Sequence, residues 1–581
     1  MEVVTTPTTQ PIVRVFCVMA VTIGLAVGLS VIVPVSATAQ TGLPSDAEPD
    51  QLKRRFEVPE VPRATDEKIV IPGAADTTAP PAGADLVMFV LGGVMVEGAT
   101  VFAPDDFLLL YEQYLGKKIS LATVYEIANA ITAKYGSAGY LLSQAIAPEQ
   151  RIGKDGLVRI RIIEGFVDKV IIEGNVGGRR GLLESMGAKI KAAMPLDAGT
   201  LERYLLLADD LPGATVRGVL KPSPDTLGAA NLIFVIEHKA VDAFASIDNR
   251  GTKYVGPLQA VVGGSLNSVF GRYEKTGLQA ITTGNAQELR YASLNHEETL
   301  NAEGSKITFN ASWSQAELGA TLKDDDIDSK SLSFALTLSH PVIRSRARNL
   351  ALRANVGYKN TRTDQASALL TEDRLRSLRL GGSYDFVDTF LTSAVTLISL
   401  EVSKGFDILD NRPTGSEKLS RSRGRSDYAK INADLNRVQQ LGGGFSLLAG
   451  ASGQYAPHPL LSAEEFAFGG SRFGRGLNSS ELTGDTGVAA KLELQYGEKL
   501  SGPLPKDYQA YGFYDFGAVW NHDQDNRQTG ATAGLGVRSN LTDWASLNLE
   551  LAKPLTQGVA ARAGKGSEND VRGYFSLIVR Y

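Results

Sequence analysis

Apolar and polar residues alternate with a period of two along much of residues 240–581. The alternation is clear in residues 350–359, 488–496 and 545–551, and it continues to the final residue, Tyr581. A period of two places the two sets of side chains on opposite faces of a β-strand. Strands of about ten residues with one apolar and one polar face are typical of membrane β-barrels. The pattern therefore predicts a transmembrane antiparallel β-barrel. A soluble β-sandwich is the alternative, and it leaves the many polar inner positions unexplained.

Residues 86–239 follow different periods. In residues 120–135 apolar side chains recur at i, i+3 and i+4, which predicts a helix with one buried face. Residues 157–163 alternate again, as a half-buried strand does. The order of one strand, two helices and two strands then repeats, which predicts two small α/β domains over residues 86–165 and 166–239. Nothing in either domain suggests chemistry.

The first residues predict an export signal. Arg14 precedes an apolar run from Val15 to Val35, and Ala37-Thr38-Ala39 is a small-x-small cleavage site. The run is long enough for a transmembrane anchor, but its glycines and Pro34 weaken a spanning helix. We predict a signal peptide over residues 1–39. Residues 40–85 follow as a short basic helix near 46–57 and a proline-rich, extended linker.

Composition argues against an enzyme, a metal site and a nucleic-acid binder. The 581 residues contain 59 Lys+Arg and 64 Asp+Glu, so no basic excess favours nucleic acid. The only cysteine is Cys17, and the five histidines are scattered without a metal-ligand spacing. The acidic run Asp324–Asp328 could hold a cation, but a solvated loop explains it better. We predict no catalytic residue, no metal and no cofactor.

One stretch of the barrel region departs from the alternation. Phe468–Leu477 has the sequence F-G-G-S-R-F-G-R-G-L, in which two arginines, Arg472 and Arg475, project from a glycine-rich backbone. Glycine permits tight turns and close approach to a wall. Further on, Asp515 is a lone carboxylate in an apolar strand. We hypothesise a loop, near residues 468–484, that folds into the barrel and is tied to its inner wall. A glycine-rich surface loop is the alternative.

The segment Gly139–Gly165 resembles a family. Its sequence, G-Y-L-L-S-Q-A-I-A-P-E-Q-R-I-G-K-D-G-L-V-R-I-R-I-I-E-G, is similar to the polypeptide-transport-associated (POTRA) domain of two-partner secretion transporters, the haemolysin-activator family. Ser246–Gly256 also resembles the family's first barrel strand. The resemblance covers essentially the whole mature chain. It implies two POTRA domains in the periplasm of a Gram-negative bacterium and a barrel of about sixteen strands in the outer membrane.

The resemblance also implies the roles of individual residues. Loop six of the family carries an Arg-Gly-aromatic motif that pairs with an aspartate of a Phe-x-Asp motif. Here the matching residues are Arg475 and Gly476 on the loop, and Phe513 and Asp515 on the strand. Leu477 replaces the aromatic residue, which puts a stacking role in doubt. Strand parity independently places Asp515 on the lumen side, where a charge is tolerated. Candidates for the surrounding lumen network are Arg472, Glu493, Arg538 and Glu550.

The implied function is a pore that recognises an unfolded exoprotein, of adhesin or haemolysin type, and exports it without ATP. Its partners are that exoprotein, outer-membrane lipid and, during biogenesis, the barrel assembly machinery. Residues 46–57 are expected to occupy the lumen at rest, because their basic surface suits its acidic candidates. An alternative from the same superfamily is a factor that inserts other barrels into the outer membrane. A passive diffusion porin leaves residues 86–239 unexplained.

Overall fold

The computed structural model describes residues 62–65, 79–502, 504–522, 524–556 and 570–581. The predicted signal peptide and the predicted helix at residues 46–57 lie outside the described residues. Within those ranges no helix combines the length and the apolar content that a membrane-spanning helix needs.

The first module packs two small sheets against one long helix. Strands β2, β5 and β4 form one sheet in that order, with β2 and β5 parallel, and β1 pairs with β3. Helix α2 begins after Ser120, whose hydroxyl oxygen accepts the N–H of Thr123 and caps the first turn. The elements are β1 Met88–Val90, β2 Gly93–Glu97, α1 Leu108–Tyr111, β3 Lys118–Ser120, α2 Leu121–Ser137, β4 Gln144–Ile146 and β5 Leu157–Ile163.

The second module has the predicted order of one strand, two helices and two strands. Its sheet runs β6–β8–β7, and both helices bury their apolar faces against it. Asp197 caps the second helix by accepting the N–H of Thr200. The elements are β6 Phe166–Gly174, α3 Arg180–Ala192, α4 Ala198–Asp209, β7 Ala214–Pro222 and β8 Ala229–His238.

The remaining strands form a closed antiparallel barrel of sixteen strands, as predicted. Its last strand closes on its first through five residue pairs, Ser576–Arg580 against Phe244–Asp248. The first strands are β9 Val241–Asp248, β10 Gln259–Asn267, β11 Glu274–Thr283, β12 Arg290–Thr299, β13 Lys306–Glu317, β14 Ile327–Arg344, β15 Arg348–Gln365 and β16 Ala368–Asp388. The chain then forms β17 Ala394–Gly405, β18 Ala429–Gly442 and β19 Phe445–Tyr455. After a long loop containing β20 Phe466–Phe468 and β21 Leu482–Gly484, the barrel continues with β22 Thr486–Lys499, β23 Asp507–Asn521, β24 Gln524–Asn540, β25 Ala545–Pro554 and β26 Arg572–Arg580.

Alternation identified the strands but underestimated their length. The predicted strand at residues 350–359 is part of β15, which spans 18 residues, Arg348–Gln365. Outside the membrane both faces of a strand meet water, so the apolar signal ends before the strand does. In the first module, the strand predicted near residues 140–147 is only Gln144–Ile146.

The barrel has two distinct ends. At the proximal end, where β9 continues from the second module, the turns between strands are short. The distal end carries the longer loops. Residues 456–485, between β19 and β22, form the sixth of these distal loops, which we call loop six.

Candidate functional site

Loop six folds into the barrel lumen and presents its tip to the inner wall. Within the loop β20 and β21 form a small hairpin, which ends in the glycine-rich stretch. Phe468, at the end of β20, is fully buried against β23 and β24. A Cβ added at Gly517 of β23 would lie 2.2 Å from the Phe468 ring, and one at Gly530 of β24 would lie 2.7 Å from it. The missing side chains therefore form the notch that receives this ring.

At the tip, Arg475 binds Asp515 of β23 through both main chain and side chain. The N–H groups of Gly474 and Arg475 donate to Oδ2 of Asp515 at 3.1 and 3.0 Å. The guanidinium adds Nε to Oδ2 at 3.0 Å and Nη2 to Oδ1 at 2.9 Å. Thr532 of β24 also donates to Oδ2, at 3.4 Å. The carboxylate is fully buried and Arg475 is 4% exposed, so the pair is shielded from bulk water.

The guanidinium of Arg475 also stacks on an aromatic ring and reaches a second carboxylate. Its Cζ lies 3.5 Å from the ring centroid of Phe513, the outer member of the Phe-x-Asp motif. Its Nη1 donates to Glu493 of β22. Glu550 of β25 lies 3.9 Å from the same nitrogen. Strands β22, β23 and β25 thus each contribute an acidic side chain around one loop arginine.

Two further arginines balance the acidic side chains. Arg538 of β24 donates to Glu493 at 2.7 Å, and its guanidinium lies 3.8 Å from the ring centroid of Tyr511. Arg250, which follows β9, donates to Glu550 at 2.6 Å. Three arginines therefore face three carboxylates in this cluster. Together they form what we call the loop-six latch: Arg475, Asp515, Glu493, Glu550, Arg538 and Arg250.

Gly476 and Leu477 complete the tip. A Cβ at Gly476 would lie 2.9 Å from main-chain atoms of Lys553 and Pro554 in β25, so only glycine fits this close approach. Leu477, in the position of the family's aromatic residue, is buried in an apolar cluster beneath the loop. That cluster contains Phe466, Phe468, Phe473, Leu477, Leu482, Ala489 and Val519. Leu477 therefore packs in this apolar cluster, in place of the stacking expected of an aromatic residue.

The structure brings together seven of the eight residues that the sequence nominated, and it places Arg472 elsewhere. Arg472 extends towards β18 and donates to Asp434 at 2.8 Å, and its side chain is half exposed. The two arginines of the loop therefore bind different strands. The family's Arg-Gly motif singled out Arg475, but nothing in the local sequence indicated Asp434 as the partner of Arg472.

Sequence reasoning missed a second attachment of loop six, to strands β16 and β18. Glu464, just before β20, accepts a hydrogen bond from Arg379 of β16 at 2.6 Å and forms an ion pair with Lys430 of β18 at 2.8 Å. Asp485, at the end of the loop, binds Arg421 of the preceding distal loop and the N–H of Leu460. The adjacent acids Glu464 and Glu465 in an otherwise apolar stretch were the available signal. Their partners lie on strands that only the closed barrel brings close.

The second module is bound to the proximal turns of the barrel by a separate set of ion pairs. Asp210, after α4, accepts Nε and Nη2 of Arg344 at 2.7 and 2.9 Å. Glu303, in the turn between β12 and β13, accepts Tyr204 at 2.9 Å and pairs with Lys189 at 2.9 Å and Arg203 at 3.4 Å. We call these residues the second-module dock.

The second-module dock also changes the pKa values of two of its side chains, and next to it the module and the barrel share an apolar core. The hydrogen bond from Lys189 is the main cause that lowers the pKa of Glu303, and the bond from Tyr204 adds to it. Burial, followed by the bond to Glu303, raises the pKa of Tyr204. Tyr273, from the turn between β10 and β11, is buried in the module's own core. The module and the barrel therefore share an interface of both charge and apolar contact.

Comparisons with known proteins agree with this architecture. The model of the haemolysin secretion/activation protein ShlB/FhaC/HecB family matches residues 233–539, more than half of the chain, and the ShlB-type POTRA domain matches residues 89–165. The heme/hemopexin transporter protein HuxB of Haemophilus influenzae strain 86-028NP is 23% identical over 468 residues, which cover 78% of this chain and 81% of that protein.

Solved structures support the fold. CdiB from Escherichia coli superposes with a TM-score of 0.71 at 16% identity, covering 94% of this chain and all of that one. BamA from Haemophilus ducreyi, lacking POTRA domains 1–3, gives a TM-score of 0.51 at 13% identity, covering 84% of this chain and 99% of that one. The family match favours secretion over the alternative of a barrel-inserting factor. The chain belongs to the haemolysin secretion/activation ShlB/FhaC/HecB family, and it is an outer-membrane, two-partner secretion transporter with its POTRA region in the periplasm.

Proposed function

We propose that the loop-six latch holds loop six in the position that makes the pore competent for export. The observation that carries this proposal is the set of four hydrogen bonds from Gly474 and Arg475 to the single buried carboxylate of Asp515. Two of these come from the main chain, so the carboxylate holds the backbone of the loop in position as well as binding the guanidinium of Arg475. A loop held this firmly sets the shape of the lumen through which an unfolded chain passes.

The energetics make the latch a single unit. Removing one partner of a buried pair leaves an uncompensated charge and typically costs about 3–5 kcal/mol. Loss of Arg475 would leave the buried carboxylate of Asp515 without its guanidinium partner, while Glu493 would keep Arg538. Loop six would then lose its attachment to β23.

Export provides the test. We expect Arg475→Ala to reduce the cognate exoprotein in the medium at least tenfold, while the barrel still reaches the outer membrane. The exoprotein to follow is the large, repetitive partner expected from a neighbouring gene. Arg472→Ala is the matched control, since it removes the other arginine of the same loop but leaves Asp515 its partner. Wild-type export by Arg475→Ala cells would rule the latch out.

We further propose that the exoprotein is recognised in the periplasm as an added strand on the first module. A three-stranded sheet has two edges, and one of them is closed here. Thr132 of α2 accepts the N–H of Ala145 in β4, and the Gln150 amide binds both the N–H and the C=O of Arg159 in β5. The opposite edge is β2, whose only strand partner is β5 in the described sheet. An extended segment can pair with such an edge through main-chain hydrogen bonds.

The position of one N–H group makes this proposal testable. Gly92 donates its N–H to Gly156, beside β5, at 2.9 Å. Because alternate residues of a strand address the same neighbour, the N–H of Met95 points to the open side. Met95→Pro removes that donor and should weaken binding of the exoprotein's N-terminal region severalfold in calorimetric titration of the full-length transporter. Met95→Ala, which keeps the donor and loses the half-exposed side chain, is the control. Equal affinity of folded Met95→Pro would show that recognition does not use this edge.

Strand addition also accounts for direction without a nucleotide. An exoprotein that arrives unfolded and folds outside the cell releases free energy on one side of the membrane only. We propose that the chain acts as a pore and not as an enzyme, with outer-membrane lipid around the barrel and the barrel assembly machinery as its partner during biogenesis.

A further inference from the structure

Residues 62–65 of the linker lie against the periplasmic mouth of the barrel. The N–H groups of Arg63 and Ala64 both donate to Oδ2 of Asp385, at 3.1 and 2.6 Å. The next N–H, that of Thr65, donates to the carbonyl oxygen of Arg346 at 2.7 Å. Three consecutive peptide groups are therefore bound by the rim, and both Ala64 and Asp385 are buried there.

Asp385 faces the lumen. Its neighbours in β16, Tyr384 and Phe386, stack their rings 5.2 Å apart on the lipid-facing side, so Asp385 between them points inward. Its strand partner Asn349 donates Nδ2 to the same Oδ2 at 3.0 Å. Asn349 thereby holds the carboxylate in place for the two main-chain donors. The contact lies inside the entrance of the pore.

These bonds recognise a main chain and no particular side chain. Two consecutive N–H groups on one carboxylate require only an extended stretch without proline at those two positions. The linker meets that requirement, and an unfolded exoprotein that enters the same mouth meets it repeatedly. Both chains therefore compete for the same acceptors.

We infer that Asp385, together with Asn349 and the carbonyl oxygen of Arg346, is a docking site for an extended polypeptide at the pore entrance. Residues 62–65 occupy it at rest, and the exoprotein main chain displaces them during export. The inference rests on the proposed export of an unfolded exoprotein. It adds the place where the exported chain first binds the barrel and makes the linker its competitor.

The site adjoins the second-module dock. Nη1 of Arg63 lies 3.6 Å from Oδ2 of Asp210, the residue that binds Arg344. Glu202 of α4 accepts the N–H of Arg346, the same residue whose carbonyl receives Thr65. An exported chain that passes between the second module and the barrel would meet the residues that hold the linker.

A reversible covalent bond tests the displacement. The full-length double variant Thr65→Cys/Arg346→Cys joins two main chains that already share a hydrogen bond, a separation that a disulfide can span. The single natural cysteine, Cys17, precedes the predicted cleavage site, so the new pair is alone in the mature chain. We expect oxidised cells to release at least tenfold less cognate exoprotein, and a reductant to restore release. The same double variant kept reduced is the reference for the release that the disulfide prevents.

Two results would overturn the inference. One is wild-type export by a protein that mass spectrometry shows to be fully disulfide-bonded. The other is the absence of the disulfide in resting, oxidised membranes. Both leave the proposed function standing, since the unlinked protein still exports. A wild-type transporter that releases no exoprotein at all would instead overturn the proposed function, and this inference with it.

A second variant tests the role of the carboxylate without using the exoprotein. Adding Asp385→Ala to the double-cysteine chain should slow disulfide formation severalfold in resting membranes. Asp388→Ala is the matched control, because Asp388 lies at the same end of β16 but binds Arg437. Equal rates in the two chains would show that Asp385 does not hold the linker.

Discussion

The loop-six latch and the second-module dock both attach a separate segment to the same barrel through ion pairs, yet they differ in burial. In the latch, the side chains of Arg475 and Asp515 are 5% and 0% exposed. In the dock, those of Arg344 and Asp210 are 9% and 20% exposed, and those of Lys189 and Glu303 are 53% and 34% exposed. Removing one partner of a buried pair is costly, because the remaining charge is left unpaired where water solvates it poorly. An exposed pair contributes little, and salt screens it.

The difference suits the two positions. Loop six lies in the lumen, the proposed path of the exported chain, and the proposed function requires it to keep one geometry. The second module lies beside the proximal end of the barrel, and we expect its partly exposed interface to allow changes of angle. Four predictions test this contrast, in order of decreasing effect.

The largest effect is expected from breaking the latch. Arg475→Ala and Asp515→Ala should each destabilise loop-six attachment by about 3–5 kcal/mol. The double variant should be little worse than either, since both remove one interaction. The measurement is the rate at which a protease cuts loop six in intact outer membranes, with Arg472→Ala as the control. Additive effects of the two substitutions would show that the pair does not act as a unit.

A smaller effect is expected from the notch that receives Phe468. Gly517→Val places atoms where the Phe468 ring lies, and overpacking of this kind costs about 1–3 kcal/mol. We expect loop six to become more accessible although every charge of the latch remains. Gly512→Val in the same strand is the control, because the nearest atom to its added Cβ is 3.9 Å away. If a protease cuts loop six of Gly517→Val no faster than loop six of the wild type, the ion pairs alone are sufficient to hold the loop.

In the dock, Arg344→Ala should loosen the second module without releasing it. The bidentate pair with Asp210 keeps partial contact with water, so we expect its loss to cost about 1 kcal/mol. Tyr273 in the shared core should keep the module attached. Pulsed electron resonance between spin labels at positions 221 and 391 should show a broader distance distribution. A distribution as narrow as wild type would mean that apolar contact alone determines the angle.

The smallest effect is expected from pH and salt. Because docking lowers the pKa of Glu303, its contribution is present above the ordinary glutamate value of about 4.3. It is lost as the pH falls through the lowered value. We expect the same distance distribution to broaden below about pH 4 and at high salt, and Glu303→Gln to remove both dependences. The rate at which a protease cuts loop six should change neither at low pH nor at high salt. An equal rise of that rate under both conditions would show that the latch and the dock do not differ.

Local pattern was enough to identify the fold class. Period-two alternation located the barrel, helical spacing located α2, and the family resemblance supplied the number of strands, sixteen, that the closed barrel has. Parity put Asp515 on the inner face because side-chain direction alternates along any strand. The glycines around Arg475 indicated a close approach before any partner was known.

Partners across the barrel depended on tertiary structure. Arg250 and Glu550 are bonded although 300 residues separate them, and only closure of β26 on β9 brings them together. The family motif indicated that Arg475 pairs with Asp515, but nothing in the sequence indicated that Arg472 binds Asp434, since that contact follows from the depth and rotation of the loop in the lumen. The same holds for Asp385 and residues 62–65. The sequence by itself determined which side chains face inward, because that depends on neighbours along one strand. The tertiary structure decided which of these side chains meet, because strand register and barrel closure depend on contacts between strands that are far apart in the sequence.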